Sequence, residues 1–510
     1  MRREKKNITK KRRAIKKAKT KAVAAKKAAR TSSPRKGAVN MKVRSLRAYK
    51  EQKVPGGVMQ SVNPFTEEVL HELPLMSRAE ITSLAAKARH ACWHWRNVPI
   101  GERTALLKKL AEVLRSEKRN YAGLITQEMG KPIKDAMAEV EKCAVLADYF
   151  SENAARFLEP EMVKTEARKS YVAFEPLGVI LAIEPWNFPF WQVFRVAVPG
   201  LVAGNAVLLK HASNVPMTAL AIEDAIRKAG FPENLFKTLL ISPDDAMKLI
   251  DDDLVDAVSL TGSNRAGEEV GSRAGRRIKS LVLELGGSDP FIVLDDADAA
   301  KAGRTAAQAR MINAGQSCIA SKRFIVMENV AEEFTRNFIS RLKELKVGDP
   351  MDETTDIGPL ARKDILDGLK AQLKDAKAKG AEVIELAHDQ THGYFMAPVV
   401  VLKPTANMKV LSEEVFGPIA PIVVVKDEDE AVRVANDTEY GLGASIWSRN
   451  IERAEKLARR IEAGTIAIND FVKSDPRLPF GGVKKSGVGR ELSQYGLKEL
   501  VNIKTVVVRE

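Results

Sequence analysis

Short apolar segments that alternate with helical patterns constrain the fold of this chain more than any other feature. Residues 179–183, 206–210, 256–260 and 291–294 each have the length and apolar character of a buried strand. Strands separated by helices pair in parallel, because each helix carries the chain back across the sheet. A second alternating series runs over residues 304–470. The sequence therefore predicts an α/β fold built on parallel sheets.

The length of the chain indicates more than one domain. A chain of 510 residues exceeds one ordinary domain, so two or three are expected. Before the first buried strand, residues 81–145 show the apolar spacing of helices, and residues 170–176 resemble a strand. No run of eighteen apolar residues occurs, so the sequence predicts no transmembrane helix.

The first 55 residues differ in composition from the rest of the chain. Residues 1–50 contain 21 Lys and Arg residues and one acidic residue, a net charge of +20; the whole chain carries +16, so residues 51–510 carry −4. This segment has too few apolar residues to offset the entropy cost of ordering, which predicts a disordered basic tail. Three interpretations stay open. The segment could be a solvated extension, or its start could be misassigned, with Met41 as the true initiator. It could also be an arm that binds nucleic acid or an anionic membrane, or a cleaved presequence.

The cysteines and histidines argue against two classes of site. Cys92, Cys143 and Cys318 are too few and too scattered for a disulfide framework or a zinc site, which indicates a reducing cytoplasm. The six histidines show no HExxH or similar spacing, so no essential metal is implied. We expect Cys92 and Cys143, which lie in apolar helical stretches, to pack in the core.

Two short segments supply a thiol and a carboxylate among small residues. Residues 283–287 read LELGG and residues 313–318 read NAGQSC. A cysteine is the best side-chain nucleophile near neutral pH when its thiolate is stabilised, and a glutamate can take a proton from water. The neighbouring glycines allow backbone N–H groups and a flat ring to approach closely. Together these groups could capture a carbonyl carbon and later hydrolyse the adduct.

These two segments belong to a longer series of motifs. From about residue 58 to its C-terminus, the chain resembles the aldehyde dehydrogenase superfamily, because the superfamily's motifs occur in the same order. Beyond the two segments above, they are EPWNFP at residues 184–189, LLK at 208–210, LTGS at 260–263, EEVFGP at 413–418 and PFGGVK at 479–484.

The resemblance implies a domain plan. It places a Rossmann-type nucleotide-binding domain at residues 56–159 and 176–286 and an α/β catalytic domain at residues 287–475. Residues 160–175 and 492–510 would form a β-flap for oligomerisation into a homodimer or homotetramer. The C-terminal strand is apolar and would be a hazardous exposed edge, so pairing with another subunit is physically reasonable.

The resemblance also assigns the catalytic residues. Cys318 would be the nucleophile, and its backbone N–H together with the amide of Asn187 would stabilise the oxyanion. Glu284 would activate the water that releases the acid; relatives that transfer the acyl group to coenzyme A commonly lack this base. The simpler interpretations are a core cysteine, a turn asparagine and a paired carboxylate. Leu283 and Leu285 favour an apolar setting that would raise the pKa of Glu284.

A loop between a strand and a helix is the expected site for the pyrophosphate of a dinucleotide. Gly262, Ser263 and Gly267 lie in this loop, where amides at a helix N-terminus can bind an anion. By resemblance, Glu414 and Phe416 would hold the nicotinamide ribose.

Three further residues would contact the dinucleotide by resemblance: Trp186, Lys210 and Ser213. Lys210 corresponds to a contact with the adenosine ribose. Many NAD-preferring relatives have a glutamate where this chain has Ser213, and its charge would repel a 2′-phosphate. The cofactor is therefore expected to be NADP or NAD, with NADP favoured.

The substrate is assigned from a narrower likeness. The stretch around Arg195 resembles the succinate-semialdehyde dehydrogenase branch, in which an arginine at this position contacts the distal carboxylate of the substrate. Ser486 resembles a second carboxylate contact. Some branch members carry another arginine six positions before the nucleophile, where this chain has Ile312. The alternative for Arg195 is an ion pair on a helix surface.

The sequence thus favours NAD(P)-dependent oxidation of an aldehyde through a cysteine thioester, with succinate semialdehyde as the substrate. One alternative is a non-acylating aldehyde dehydrogenase of broader specificity. An alternative of another class is a polyanion-binding or scaffold protein that acts through its basic tail.

Overall fold

The computed structural model describes residues 57–510. The basic tail predicted for residues 1–55 and the alternative start at Met41 lie outside the described residues. No helix within residues 57–510 combines the length and the apolar character that crossing a membrane requires.

The described chain begins with a β-hairpin and a group of helices. Ser77 and Glu80 form a capping box that starts the first helix, with each side chain bonded to the other residue's backbone N–H. The long fourth helix has an apolar face packed in the core, as the spacing over residues 81–145 predicted. The elements are β1 (Val58–Val62), β2 (Val69–Pro74), α1 (Arg78–Trp95), α2 (Ile100–Ser116), α3 (Lys118–Met129), α4 (Ile133–Phe157), β3 (Glu161–Met162) and β4 (Lys169–Pro176).

The next segment builds the first large sheet. Its elements are β5 (Val179–Glu184), α5 (Trp191–Ala203), β6 (Ala206–His211), α6 (Pro216–Lys228), β7 (Phe236–Thr238), α7 (Pro243–Ile250), β8 (Ala257–Thr261), α8 (Asn264–Arg276) and β9 (Ser280–Glu284). These strands pair in parallel in the order β7-β6-β5-β8-β9. Every residue of β5 and β8 is buried, because helices cover both faces of the sheet. The prediction of a parallel sheet is confirmed.

A second sheet follows after a short connection. Its elements are β10 (Pro290–Val293), α9 (Ala299–Met311), a 3₁₀ turn (Ile312–Gly315), β11 (Arg323–Met327), α10 (Glu328–Lys343), α11 (Lys363–Ala378), β12 (Glu382–Glu385), β13 (Val399–Leu402), α12 (Lys409–Ser412), β14 (Ile419–Val425), α13 (Glu428–Asn436), β15 (Tyr440–Gly441), β16 (Gly443–Trp447), α14 (Ile451–Ala458) and β17 (Thr465–Ile468). The sheet order is β12-β13-β14-β11-β10-β16-β17, with β12 antiparallel. Aromatic rings fill the core beside it: Phe291, Phe324, Phe334, Phe338 and Trp447.

The C-terminal elements return to the earlier part of the chain. They are β18 (Val483–Lys484), β19 (Gly487–Val488), α15 (Ser493–Lys498) and β20 (Val501–Val508). Strand β19 extends the first sheet beside β9, and β20 pairs with β4 along its whole length. The sheet β20-β4-β3 thus joins the two segments predicted as the flap, and it exposes 64% of Met162 and 59% of Ile503.

Candidate active site

The connection between the two large sheets positions the site. Glu284 ends β9 and Pro290 begins β10, so residues 285–289 pass from one sheet to the other. Beside this connection lies a cavity of about 180 Å³. It brings together seven of the predicted residues from four separate stretches of the chain: Trp186, Asn187, Gly262, Ser263, Cys318, Glu414 and Phe416. Ligand sites in open α/β sheets commonly occur at the carboxyl ends of the strands. The cavity lies at such a position, next to the carboxyl ends of β5 and β8.

The loop before Cys318 has an unusual backbone. Asn313, Ala314 and Gly315 are consecutive left-handed residues, with φ of 53°, 55° and 78°. A Cβ atom on Gly315 would collide with the carbonyl oxygen of Gly417, so only glycine fits there. The Nδ2 group of Asn313 donates to the carbonyl oxygens of Asn187 (2.8 Å) and Gln316 (3.1 Å). These contacts hold a strained conformation that presents Cys318 to the cavity.

Asn187 is buried and points toward this loop. Its Nδ2 group donates to the carbonyl oxygen of Gln316 at 3.2 Å, which leaves its second N–H available for an oxyanion. The turn that carries Asn187 is held by two buried residues that the sequence analysis missed. Lys131 donates to the carbonyl of Asn187 at 2.9 Å and forms an ion pair with Glu139, which accepts from the N–H of Phe190 at 2.9 Å.

The thiol of Cys318 lies partly exposed in the wall of the cavity. Burial raises the pKa of this thiol to about 11, and the positive charges of Lys322 and Arg195 act in the opposite direction. The thiol is therefore protonated near neutral pH in the absence of a further positive charge. Lys322, also missed in the sequence, donates to the carbonyl oxygen of Cys318 at 2.5 Å and pairs with Glu414 at 3.1 Å. It links the nucleophile loop to the opposite wall.

Glu284 does not line the cavity but lies buried beside it, with only 2% of its surface exposed. Neither of its carboxyl oxygens has a hydrogen-bond partner within residues 57–510. Burial raises the pKa of Glu284 well above its ordinary value, and the nearby Glu491 raises it further. Arg195 and Arg490 act in the opposite direction, so the setting of Glu284 is buried but charged, unlike the apolar setting predicted from its leucine neighbours. A carboxylate with a raised pKa is a stronger base than an ordinary glutamate.

Arg195 occupies a different setting from the one expected of a substrate contact. Its guanidinium is 2% exposed, pairs with Glu491 at 2.6 Å and donates to the hydroxyl of Thr261 at 3.3 Å. It lies over the ring of Phe480, 4.8 Å from the centroid, and does not line the cavity of about 180 Å³. The carboxylate of Glu491 contacts the guanidinium through a single Nε–Oε2 approach, so Arg195 is already engaged by a protein carboxylate, and this geometry does not support the predicted contact with the substrate.

Ser486 also differs from the expectation. Its hydroxyl donates to the carbonyl oxygen of Gly286 at 2.7 Å and accepts from the N–H of Gly441 at 2.9 Å. The residue is fully buried. Because both bonds go to backbone groups, we replace the predicted substrate contact with a structural role, in which Ser486 fixes the connection between the sheets.

The residues expected to bind a dinucleotide fit this role to different degrees. Burial lowers the pKa of Lys210, and no carboxylate within residues 57–510 pairs with it, so the lysine can bind an anion. Ser213 is exposed just beyond β6. Ser263 caps α8: its hydroxyl accepts from the N–H of Ala266, and its carbonyl oxygen accepts from the N–H of Gly267. A phosphate would therefore have to compete with the cap, and the N–H of Gly262 already bonds to the backbone carbonyl oxygen of Glu284. A Cβ atom on Gly267 would meet the side chain of Leu285, which indicates close packing of α8.

A second cavity, of about 430 Å³, shares no lining residue with the first one, but its wall includes Phe188, which follows Asn187 of the first cavity in the chain. Asn313 lines it and donates to Asn187, which lines the smaller cavity. Its wall also includes Ile312 and the aromatic residues Phe188 and Trp191. The larger cavity is therefore a second approach to the segment that carries the nucleophile.

Cys92 and Cys143 are buried, and burial raises the pKa of each thiol, which suits packing residues. Within residues 57–510, no group of three or more His, Cys, Asp or Glu side chains has an arrangement that could hold a metal ion.

Comparisons with known proteins agree with this geometry. Residues 50–506 match the model of the aldehyde dehydrogenase family. A probable NADP⁺-dependent succinate-semialdehyde dehydrogenase of Synechocystis is 48% identical, covering 88% of this chain and 98% of that protein. A succinate semialdehyde dehydrogenase [NAD(P)⁺] of Escherichia coli is 43% identical, covering 88% of this chain and 97% of that protein. The crystal structure of succinic semialdehyde dehydrogenase from Streptococcus pyogenes in complex with NADP⁺ matches with a TM-score of 0.86 and 38% identity. The match covers 89% of this chain and 100% of that chain.

Proposed function

Because the chain belongs to the aldehyde dehydrogenase family, we propose that it oxidises succinate semialdehyde to succinate with NADP⁺. The observation that carries the proposal is the convergence of a thiol, an amide donor and a buried carboxyl group at the smaller cavity. Cys318 and Asn187 line this cavity, and Glu284 lies buried beside it, close enough to act on the thiol. The names of the relatives from Synechocystis and Escherichia coli support both the substrate and the cofactor.

The proposed chemistry begins at Cys318. Its sulfur adds to the carbonyl carbon of the aldehyde, and the resulting oxyanion receives hydrogen bonds from Asn187 and from the N–H of Cys318. Lys322 fixes the main chain beside this N–H, because it binds the carbonyl oxygen of Cys318. A water molecule then attacks the thioester formed on Cys318, and its proton passes to Glu284. This attack breaks the bond between sulfur and carbon, releases the carboxylic acid and restores the thiol.

The first cavity suits the dinucleotide. A Cβ atom on Gly286 would lie 2.7 Å from the carboxylate of Glu414 and 2.9 Å from the ring of Tyr440, so glycine at this position keeps space open for a flat ring in the cavity that Phe416 lines. When bound, the dinucleotide supplies the acceptor for the hydride that leaves the substrate carbon. Its positive charge beside the thiol of Cys318 would also favour the thiolate.

A panel of aldehydes tests the proposal. Succinate semialdehyde and uncharged butanal, each with NADP⁺ and with NAD⁺, are compared by the absorbance of the reduced dinucleotide. We expect kcat/KM for succinate semialdehyde to exceed that for butanal at least about tenfold, because one charge-assisted hydrogen bond to the carboxylate strengthens binding by about this factor. Equal values for both aldehydes would favour an aldehyde dehydrogenase of broader specificity, and no reduction with any aldehyde would favour the scaffold alternative.

Ser213→Glu is expected to move the cofactor preference toward NAD⁺. A carboxylate beside Lys210 would repel the 2′-phosphate of NADP⁺ and could accept a hydrogen bond from the 2′-hydroxyl of NAD⁺. The ratio of kcat/KM with NADP⁺ to kcat/KM with NAD⁺ should fall at least about tenfold. Ser213→Ala, which removes the hydroxyl without adding charge, is the matched control and should change the ratio far less. An unchanged ratio in Ser213→Glu would contradict this assignment.

We also propose the assembly and the domain plan implied by the family. The β20-β4-β3 sheet would join subunits into a homodimer or homotetramer, since its exposed apolar side chains and outer strand are suited to burial against another copy. The domain boundaries would follow the two large sheets, with the change near residue 287. A cytoplasmic location is proposed on the strength of the unpaired cysteines.

A further inference from the structure

We propose that Lys142, on α4, binds the distal carboxylate of the substrate in the larger cavity. The inference rests on the proposed function, because it names the group that would select an acidic aldehyde. It also addresses a difficulty left by the site itself, since Arg195 is paired with Glu491 and Ser486 with two backbone groups.

The position of Lys142 is well defined. Its Nζ atom donates to the hydroxyl of Ser474 at 2.7 Å and lies 4.1 Å from the ring centroid of Trp191. Both Lys142 and Trp191 line the cavity of about 430 Å³. Two neighbours therefore hold the ammonium group in place without neutralising its charge, and its remaining N–H bonds are free for a ligand.

The charges around the cavity distinguish Lys142 from its neighbours. The other cations of the wall have carboxylate partners: Lys131 pairs with Glu139, Lys134 with Asp356 at 2.6 Å, and Arg341 with Glu344 at 3.0 Å. Asp135, also on the wall, interacts with Lys131 and Lys134. Among the described residues, no carboxylate lies within ion-pair distance of Lys142.

The electrostatic environment favours an anion at this position. Burial and the positive charge of Arg195 lower the pKa of Lys142 to about 8, although the more distant carboxylates of Glu139 and Asp475 act in the opposite direction. The ammonium form is thus retained at neutral pH but is less stable than in water, and a bound carboxylate would stabilise it. An ammonium group that forms no ion pair with a described carboxylate, in a cavity beside the nucleophile loop, fits a short aldehyde with a negative charge at its far end.

The sequence departure at Ile312 agrees with this role. Ile312 lines the same cavity, so an arginine at its position, as in some relatives, would place a cation in the same space. In this chain Ile312 carries no charge, and the proposed cation is instead the ammonium group of Lys142 on α4. Replacing the source of the charge preserves selection for an acidic substrate.

Lys142→Met tests the proposal by substrate discrimination. We expect the ratio of kcat/KM for succinate semialdehyde to kcat/KM for butanal to fall about 10- to 100-fold, with most of the change in KM for the acidic aldehyde. Lys142→Arg should restore most of the ratio, since it restores the charge. The matched control is Lys134→Met, which removes a cation of the same cavity that is already paired and should alter the ratio less than about threefold.

Two further measurements keep the test decisive. If Lys142→Met does not fold, Lys142→Gln removes the charge and keeps a donor for Ser474; inhibition by succinate, measured with butanal as substrate, should then weaken about 10- to 100-fold. A wild-type preference for succinate semialdehyde that survives in both variants would overturn the role of Lys142 alone. A wild-type enzyme without that preference would instead contradict the proposed function.

Discussion

Cys318→Ala is expected to lower kcat for aldehyde oxidation at least about 10⁴-fold, because the variant has no atom that can form the covalent adduct. Folding should be little affected, since Cys318 lies partly exposed on a cavity wall and its loop is held by contacts of Asn313, Gln316 and Lys322 that the substitution leaves in place. Reduction of NADP⁺ in the presence of succinate semialdehyde measures the loss, and dinucleotide binding by the variant shows that the first cavity is intact.

The other two cysteines provide the control for this result. Cys92→Ala should retain most of the activity, because Cys92 is a buried packing residue whose thiol donates to the carbonyl oxygen of Gly178 at 3.3 Å. Mass spectrometry of enzyme quenched during turnover should place the acyl group on the peptide that contains Cys318. Turnover retained in Cys318→Ala, or an acyl group on Cys92 or Cys143, would contradict the mechanism.

The parallel sheets could be predicted because their signal is local. The strand at residues 179–183 is a continuous apolar run, and the structure shows why: both faces of β5 are covered. The motif positions were equally accessible, since Asn187 and Cys318 each lie in a distinctive run of residue types. Local pattern therefore predicted the elements, and the resemblance of these runs to a known family predicted the chemistry that they would carry.

Long-range pairing was not accessible in the same way. The sequence around Arg195 predicts a cation at a defined place in α5, but its partner Glu491 belongs to a distant part of the chain, and only the fold brings them together. Lys131 and Glu139 look like ordinary surface charges of a helical region, although they form a buried ion pair. A single sequence gives no signal that separates such pairs from solvated ones.

The direction of a side chain also depends on backbone geometry that the sequence does not reveal. Ser486 lies in a recognisable motif, yet its hydroxyl turns toward the backbone of Gly286. The left-handed conformation is expected for Gly315, but not for Ala314, which adopts it because the surrounding contacts impose it. Site residues that depend on such turns could be listed in advance, but their roles could not.

Glu284→Gln should separate the two halves of the reaction. The variant can still form the thioester on Cys318, because Glu284 is not the nucleophile and glutamine has nearly the same shape. Hydrolysis should slow about 10²- to 10⁴-fold, since an amide cannot take the proton from water. Rapid mixing with NADP⁺ and succinate semialdehyde is therefore expected to show a burst of about one NADPH per active site, as a single turnover requires, followed by a slow steady state.

The pH dependence gives this prediction a second readout. Burial and Glu491 raise the pKa of Glu284, so in the wild-type enzyme hydrolysis should accelerate as the pH rises through that raised pKa and the carboxylate form appears. Glutamine does not titrate, and the slow phase of Glu284→Gln should lose this dependence. Glu414→Gln is the contrasting variant: it alters a carboxylate that contacts Lys322 in the first cavity, and it should slow the burst itself. A normal steady-state rate in Glu284→Gln, or no acyl group on Cys318 after the burst, would exclude Glu284 as the base for hydrolysis.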